Sequence, residues 1–383
     1  MTQINRSTHC SYAFSTYDSR TQWTCCIAPP SPAPRIMSFA DKNKSPDIIQ
    51  LQNDLLSGVK NKLCNVCWEQ EDAGITSARI HSLSEKTDDD LQKEIVNKKL
   101  KYLCIDSGNV CNLSCRMCSP ISSTALLPEF KKRLNLQATF PTFQFYSKHT
   151  NGVTTTPVEY LLNEDYSQII DIRILGGEPF LNLDHVAVLE KIVAQGYSKQ
   201  CTVRYVSNGT LPIPDSILNL IDQYEQMIFT YSVDAVGPRA NYIRTGTNWD
   251  TVVNNIARHK SAPNLQKYQF QITVGVLNIL YLDELFEWIS KHNKHYNICP
   301  ISDPEHCSFD VLTDEEKVYV IDKLSKSKFD FSTLINYVSA SKFDPVARAQ
   351  LFVDFEWTKE YKGLDVNDYL PELMDLLNGK SHG

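Results

Sequence analysis

Three closely spaced cysteines are the residues of this chain whose spacing points most directly to chemistry. Cys111, Cys115 and Cys118 follow the pattern C-x3-C-x2-C, after strand-like residues 102–105 and turn-forming residues 107–109. Three thiolates on one short loop can bind three irons of a [4Fe–4S] cluster, whose usual complement is four cysteines. The fourth iron would then lack a protein ligand, as in a reactive rather than a structural metal centre.

The same spacing allows a purely structural interpretation. Positions i, i+4 and i+7 lie on one face of an α-helix, where cysteine is a common small buried side chain. The intervening residues Asn112, Ser114 and Arg116 are polar or loop-favouring, and Pro120 closes the segment. The sequence therefore favours a metal-binding loop over a helix.

With this motif the chain resembles the radical S-adenosylmethionine (radical SAM) superfamily, whose signature is C-x3-C-x2-C in a strand-to-helix loop. The resemblance implies that Cys111, Cys115 and Cys118 hold a catalytic [4Fe–4S] cluster whose open iron chelates S-adenosyl-L-methionine (AdoMet). It also implies reductive cleavage of AdoMet to a 5′-deoxyadenosyl radical, which abstracts hydrogen from a substrate. An electron donor such as flavodoxin or ferredoxin is expected.

A second group of cysteines lies nearer the N-terminus. Cys64 and Cys67 have the C-x2-C spacing of a metal site, and Cys10 with the adjacent pair Cys25 and Cys26 could complete four ligands. Four thiolates suit structural zinc as well as an iron–sulfur cluster. Both kinds of site are therefore open at this point.

The residues around these cysteines, LLSGVKNKLCNVCWEQEDAG, resemble the twitch/SPASM-like subgroup of radical SAM proteins. In that subgroup an upstream Cys and a Cys-Cys pair precede C-x2-C-[YW]-E-Q-E-x-A-G. The resemblance implies an auxiliary iron–sulfur cluster on Cys10, Cys64, Cys67 and one of Cys25 and Cys26. The sequence does not decide which member of the pair is the ligand.

Composition narrows the class of protein. The chain has 383 residues, 42% of them hydrophobic, and a formal net charge of −7 with Lys and Arg scattered. This balance gives no strong nucleic-acid signal. No long apolar run and no secretory signal appear, so we expect no membrane association and a cytoplasmic location. Twelve cysteines then indicate metal binding or catalysis rather than disulfides.

The central part of the chain alternates strand and helix patterns, which predicts an α/β fold with parallel strands. Six strands are expected, too few for a closed eight-stranded barrel, so we predict a partial (β/α)6 TIM-like barrel. The expected strands lie near 102–106, 170–174, 202–206, 228–233, 268–276 and 297–301. The predicted regions are an auxiliary-cluster region at 1–98, the barrel at 99–302 and a helical C-terminal region at 303–383.

Polar and glycine residues follow several of these strands, at the end where ligands bind such barrels. The resemblance implies that Gly176, Gly177 and Glu178 contact the AdoMet amino group, and that polar residues after the next strands serve its ribose and carboxylate. Turns or strand-end caps are the alternative. These polar residues are Ser207, Asn208, Ser232 and Asp234, and Arg244 could pair with a carboxylate or form a surface salt bridge.

An aromatic-rich insertion at 128–167 shows no clear period and predicts a long loop. We hypothesise that it covers the open face of the barrel and shapes the substrate pocket.

These patterns predict one function and leave two alternatives open. We expect a radical SAM enzyme that abstracts hydrogen from a peptide substrate, because relatives with auxiliary clusters often modify peptides. A nucleotide, nucleic acid, sugar or other small molecule is the alternative substrate. A non-enzymatic zinc or iron–sulfur protein is the alternative from another class.

Overall fold

The computed structural model describes residues 4–19, 25, 38–42, 44–72, 74, 76–84, 86–137, 140–150, 152–155, 157–261, 267–292 and 295–380. The α-helices are α1 Ser11–Ser15, α2 Phe39–Lys42, α3 Pro46–Leu56, α4 Asn65–Asp72, α5 Ala78–Leu83, α6 Asp88–Asn97, α7 Leu127–Gln137, α8 Pro141–His149, α9 Asp184–Ala194, α10 Asp215–Leu218, α11 Gly237–Ile243, α12 Trp249–Ser261, α13 Leu282–Ser290, α14 Asp314–Ser325, α15 Ser332–Ala340, α16 Pro345–Lys362, α17 Val366–Tyr369 and α18 Pro371–Leu377. Short 3-10 helices occupy Lys62–Cys64, Thr124–Leu126, Leu161–Asn163, Ser198–Gln200, Ile221–Gln223, Ile279–Tyr281, Glu305–Cys307 and Phe309–Val311.

The strands follow one another in chain order in a single seven-stranded sheet. They are β1 Thr16–Asp18, β2 Tyr102–Asp106, β3 Asp171–Leu175, β4 Thr202–Ser207, β5 Gln226–Ser232, β6 Tyr268–Val274 and β7 Tyr296–Pro300. The described pairings are parallel, so the predicted partial barrel is confirmed. The six predicted strands correspond to β2–β7, and β1 is an addition that pairs with β2. It was missed because three residues are too few to show alternation.

Contacts between residues divide the chain into two compact units. The first unit comprises Met1–Gly108, Thr155–Tyr205 and Ile213–Ile228, and the second comprises Asn109–Thr154, Val206–Pro212 and Phe229–Gly383. The division into regions 1–98, 99–302 and 303–383 stays a prediction.

In the first unit, two of the three alternating isoleucines from which β3 was predicted are buried, whereas Ile170 is 42% exposed. Ile172 and Ile174 of β3 are inaccessible to solvent, whereas the alternating residues Asp171 and Arg173 are partly exposed and exposed, respectively. Asp171 pairs with Arg204 of β4 at 2.6 Å. This period of two is the pattern from which the strand was predicted.

The second unit shows the same relation between pattern and burial. In β6, four alternate residues from Tyr268 to Val274 are buried. A capping box begins α14: Thr313 accepts a hydrogen bond from the Glu316 N–H, and the Glu316 side chain accepts one from the Thr313 N–H at 2.8 Å. Local sequence therefore specifies these two elements.

The aromatic insertion contains helices where the sequence predicted a long loop. Residues 127–137 form α7 and residues 141–149 form α8. Phe130, Phe143 and Tyr146 form a buried cluster, and the Tyr146 hydroxyl donates to Asp303 at 2.8 Å. Aromatic packing replaces the aliphatic stripe from which helices are usually recognised.

The longest helix described is α16, with 18 residues. Its buried face includes the polar residues Gln350, Asp354 and Thr358. None of the helices in the described part of the chain combines the length and the apolar character needed to cross a bilayer.

Candidate functional site

The three cysteines of the C-x3-C-x2-C motif lie on irregular backbone between β2 and the 3-10 helix at Thr124–Leu126. The helix interpretation is therefore wrong for this segment. The Ser114 N–H donates to the Thr245 carbonyl at 2.8 Å, and the Arg116 N–H donates to the Ile243 carbonyl at 2.7 Å. These bonds fix the backbone of the loop in the second unit and leave its thiols partly accessible.

Burial governs the ionisation of these thiols. It raises the pKa of Cys115 to about 12 and that of Cys118 to about 11, and the neighbouring thiols add to both shifts. The Arg244 guanidinium opposes the shift at both residues. Because an iron ligand must be a thiolate, a cation at this position favours the ligand form of the side chain.

Arg244 is paired with Asp234, which the sequence had assigned separately to the same site. The two side chains form an ion pair of 2.8 Å, with 13% and 3% of their surfaces exposed. The Asp234 carboxylate also accepts a hydrogen bond from the Thr273 N–H at 2.8 Å. The pair is buried and partnered, so Arg244 does not form the surface salt bridge that was its alternative interpretation.

The polar residues that follow β4 cap the turn there. Ser207 accepts a hydrogen bond from the Gly209 N–H at 3.1 Å, and Asn208 accepts one from the Thr210 N–H at 2.9 Å. The Asn208 amide nitrogen donates to Asn112 at 2.9 Å and lies 3.9 Å from the Cys111 sulfur. Asn208 therefore contacts the cysteine loop directly. Ser232 is the last residue of β5 and is partly buried.

The glycines that follow β3 lie in the first unit. Gly176 has a φ of +133°, and a Cβ there would lie 2.4 Å from the Ser107 hydroxyl and 2.7 Å from the Gly108 carbonyl oxygen. The Gly177 N–H donates to the same Gly108 carbonyl at 2.7 Å. Glu178 is fully buried. Only glycine fits position 176, both for its backbone conformation and for space.

A pocket in the second unit adjoins two of the motif cysteines, and most of its charged lining was missed by sequence reasoning. Its lining residues are Cys115, Arg116, Cys118, Pro120, Leu126, Glu129, Phe130, Arg133, Phe143, Tyr146, His306 and Asp354. Burial lowers the pKa of His306 to about 4, which keeps the imidazole neutral near pH 7.

The charged residues of this pocket form a buried network. Arg116 forms ion pairs with Asp354 and, at 3.4 Å, with Glu129. Arg133 contacts Asp354 at 2.7 Å and Glu129 at 3.1 Å. Lys362 contacts Glu129 at 2.7 Å. Arg116 and Asp354 are 238 positions apart, so no local pattern could have indicated this network.

The N-terminal cysteines converge in the first unit. Cys10, Cys25, Cys64 and Cys67 line one pocket, which we call the four-cysteine pocket. Cys26, the other candidate of the pair, lies outside the described residues. Within the described ranges, no three His, Cys, Asp or Glu side chains are arranged to hold a single metal ion. A cluster places each thiolate on a different iron, so its ligands stand farther apart than those of one ion.

The motif around Cys67 supports this pocket through a buried ion pair. Glu71 pairs with Arg79 at 2.5 Å, and Arg79 also donates to the carbonyls of Arg6 and His9 at 2.9 Å. The Trp68 indole lies under the Arg79 guanidinium at 4.8 Å from the ring centre. The W-E-Q-E motif thus joins the C-x2-C helix to the backbone beside Cys10.

Comparison with known proteins identifies a family for the central part of the chain. Residues 105–289 match the sequence model of the radical SAM superfamily, and no curated protein matches the chain. Similar solved structures include native anSMEcpe with bound AdoMet and Cp18Cys peptide (15% identity, 69% of this chain and 66% of that chain covered, TM-score 0.41). They also include Streptococcus suis SuiB bound to S-adenosylmethionine (12% identity, 70% of this chain and 69% of that chain covered, TM-score 0.30). A third is TYW1 with a lysine-pyruvate adduct bound (17% identity, 57% of this chain and 71% of that chain covered, TM-score 0.31).

The chain thus spans slightly less than two thirds of the length of anSMEcpe. The segment that matches the family begins within β2 and ends within α13, so it includes the cysteine loop and β3 to β6. The family implies AdoMet and a [4Fe–4S] cluster as cofactors. Residues 105–289 therefore form a radical SAM domain.

Proposed function

We propose that this enzyme abstracts hydrogen from a peptide and uses two iron–sulfur clusters to modify it. Cys111, Cys115 and Cys118 hold the [4Fe–4S] cluster, which when bound supplies the electron that cleaves AdoMet to methionine and a 5′-deoxyadenosyl radical. The four-cysteine pocket holds an auxiliary cluster. The observation that carries the proposal is the irregular loop, because it offers three thiols from one short segment. A [4Fe–4S] cluster bound there would have one iron without a cysteine ligand from this loop.

The residues around the loop have distinct roles in this proposal. Arg244, held by Asp234, favours the thiolate forms of Cys115 and Cys118. Asn208 orients the loop through Asn112.

The AdoMet contacts assigned from sequence are also proposals. The backbone at Gly176 and Gly177, with Glu178, serves the amino group, and the strand-end residues Ser207 and Ser232 serve the ribose and carboxylate.

The charge of the pocket beside Cys115 and Cys118 favours a peptide over a phosphate-bearing substrate. Each guanidinium there contacts both Glu129 and Asp354, so neither arginine is left to form the bidentate contact that recognises a phosphate. Phe130, Phe143 and Tyr146 supply apolar lining. A side chain of a peptide suits such a mixed surface better than a nucleotide does.

Hydrogen transfer from labelled substrates tests the substrate class. The anaerobically reconstituted enzyme, with AdoMet and dithionite, is incubated with a uniformly deuterated peptide pool and, separately, with deuterated nucleotides and sugars. Mass spectrometry should find deuterium in 5′-deoxyadenosine from the peptide pool. Label arriving only from nucleotides or sugars would overturn the peptide assignment.

Cysteine substitutions test the cluster assignment in the same assay. Cys115→Ala should abolish 5′-deoxyadenosine formation, because the cluster loses one of its three ligands. Cys299→Ala is the matched control, since Cys299 is exposed and belongs to neither group of ligands. Formation of 5′-deoxyadenosine by the Cys115 variant at the rate of the control would refute the assignment.

A further inference from the structure

In the described part of the chain, two N–H groups are directed at the sulfur of Cys111, the first cysteine of the motif. The Leu113 backbone N–H donates to this sulfur at 3.5 Å, and the Asn208 side-chain amide nitrogen lies 3.9 Å from it. The Cys118 thiol instead donates to the Ser119 carbonyl at 3.8 Å. The Cys111 sulfur is therefore placed to accept hydrogen bonds, which become stronger when a thiol is converted to a thiolate.

The orientation of the Asn208 amide is fixed by its neighbours. Its oxygen accepts hydrogen bonds from the Thr210 backbone N–H at 2.9 Å and from the Thr210 hydroxyl at 2.6 Å. Its nitrogen donates to the Asn112 side-chain oxygen at 2.9 Å, and the Asn112 amide donates to the Thr210 hydroxyl at 2.9 Å. These bonds close a ring of three side chains. Because an amide nitrogen carries two hydrogens, one can serve Asn112 while the other serves Cys111.

The backbone around Cys111 is held by separate bonds. The Cys111 N–H donates to the Thr124 hydroxyl at 3.2 Å. The Ser123 hydroxyl donates to the Leu113 carbonyl at 2.6 Å. Asn208 is only 7% exposed, so little water competes for its N–H groups, and a hydrogen bond is stronger where water is excluded. The polypeptide alone therefore holds this sulfur and its donors together.

We propose that Asn208 raises the reduction potential of the catalytic [4Fe–4S] cluster by donating a hydrogen bond to the sulfur of Cys111. This inference rests on the proposed assignment of that cluster to Cys111, Cys115 and Cys118. Hydrogen bonds to the sulfurs are among the features that set the potentials of such clusters. An N–H dipole directed at the sulfur stabilises the reduced cluster more than the oxidised one, because the reduced form is more negative. Asn208 thus makes the cluster easier for its electron donor to reduce.

This role differs from the AdoMet contact that the family resemblance implied for Asn208. A contact to the ribose or carboxylate of AdoMet would change the affinity for AdoMet and leave the potential of the AdoMet-free cluster unchanged. A hydrogen bond to the Cys111 sulfur acts on the cluster whether or not AdoMet is bound. Measuring the potential without AdoMet therefore separates the two roles.

The reduction potential without AdoMet is the direct test. The full chain carries Cys64→Ala and Cys67→Ala together, so that the four-cysteine pocket lacks two of its proposed ligands, and is reconstituted anaerobically with iron and sulfide. Potentiometric titration followed by electron paramagnetic resonance compares Asn208→Leu with this parent. Loss of the bond should lower the equilibrium constant for reduction about threefold to tenfold, which is about 28 to 59 mV in a one-electron step.

Two further variants separate the bond to sulfur from the position of the loop. Asn208→Asp keeps an oxygen for Thr210 but replaces the N–H donor with a negatively charged group, so its potential should fall below that of Asn208→Leu. Asn112→Ala is the matched control, because it removes the other acceptor of the Asn208 amide and leaves the sulfur in place, and it should keep the parental potential. An unshifted Asn208→Leu, or an Asn112 variant shifted as far, would overturn the inference.

Iron content and folding separate failure of this inference from failure of the proposed function. If the parent binds no iron although its circular dichroism and urea midpoint match those of the unsubstituted chain, the cluster assignment fails and the role of Asn208 fails with it. If it binds a cluster whose potential does not depend on Asn208, only the inference fails. A shift that arises only with AdoMet bound would also overturn the inference and would support the AdoMet contact.

Discussion

The two groups of cysteines in this enzyme are built in different ways. Cys111, Cys115 and Cys118 belong to one short irregular loop in the second unit. The four-cysteine pocket of the first unit instead gathers residues from positions 10, 25, 64 and 67. A single loop can supply three ligands at once but leaves one iron open, whereas ligands from separate segments can surround a cluster. The difference matches a reactive centre and an enclosed one.

The cations beside the two groups differ as well. Arg244 acts on Cys115 and Cys118 while paired with a carboxylate. Lys42 acts near Cys10 and Cys25 without a hydrogen-bonded partner among the described residues. Arg244 therefore keeps its positive charge beside a carboxylate. Burial lowers the pKa of Lys42 to about 7, so part of that amine is neutral near pH 7.

The two sites should differ most in AdoMet cleavage that occurs without modification of the peptide. Cys115→Ala should remove 5′-deoxyadenosine formation, whereas Cys64→Ala should retain it and lose only the modified peptide, because each variant lacks one cluster. Iron per chain should fall by about half in both variants. If Cys64→Ala also abolished AdoMet cleavage at full folding, the two sites would not have separate roles.

The cysteine pair at 25 and 26 tests how the four-cysteine pocket is completed. Cys25 lines the pocket. In a chain with Cys111, Cys115 and Cys118 all replaced by alanine, Cys25→Ser should therefore lose the auxiliary cluster. Cys26→Ser is the matched neighbour and should retain iron and the brown colour of the cluster. The opposite pattern would exchange the two ligand assignments.

Breaking the buried pair beside the catalytic loop should be costly even without metal. Asp234→Asn leaves the Arg244 guanidinium uncompensated, and we expect the free energy of unfolding to fall by about 3 kcal/mol. Urea denaturation of the metal-free chain measures it. Asp89→Asn is a suitable control, because Asp89 forms an exposed pair with Lys93, and exposed ion pairs contribute little to stability. Equal losses in both variants would contradict the role of the buried pair.

Thiol alkylation compares the electrostatics of the two sites directly. Burial raises the pKa of both Cys64 and Cys115 to about 12, so both thiols are protonated near neutral pH in the metal-free chain. Their reaction with iodoacetamide should accelerate about tenfold per pH unit between about pH 7 and 9, because the thiolate fraction rises with pH without a plateau.

Removing Arg244 should affect only one of these thiols. Arg244→Gln deletes a charge that lowers the pKa of Cys115, so alkylation of Cys115 should slow while that of Cys64 does not. Peptide mass spectrometry resolves the two residues. A plateau below about pH 9 at either thiol would mean that its pKa is not raised as described.

The smallest expected effects come from two matched capping boxes, one in each unit. Thr87 caps α6 together with Asp90, and Thr313 caps α14 together with Glu316. Thr87→Ala and Thr313→Ala should each lower the free energy of unfolding by about 1 kcal/mol. Valine at either position keeps the size of threonine without its hydroxyl, so it should show the same loss if the cap is the cause.

Local pattern accounts for much of the fold. The alternation of Ile172 and Ile174 with charged residues predicted β3. The capping box of Thr313 and Glu316 at the start of α14 is likewise a local feature of the sequence. The three residues of β1 and the aromatic helices α7 and α8 gave no comparable signal, since their periodicity is too short or is replaced by ring packing.

Only the parts of the candidate site that depend on local sequence could be predicted. The C-x3-C-x2-C loop is local and was visible from spacing alone, and the four-cysteine pocket was suggested by motif resemblance. Neither method indicated that Arg244 would meet Asp234 or that Arg116 would reach Asp354. Such pairs depend on how distant segments pack.

The bond between Arg116 and Asp354 also bears on how the gene can be trimmed for expression. Arg116 stands next to Cys115 in the loop, and its buried carboxylate partner belongs to α16. A chain truncated before Pro345 would lack that partner and the Lys362 contact to Ser114. The C-terminal helices carry no proposed ligand, but their contacts hold the cysteine loop in place. Shortened versions of this protein should therefore retain them.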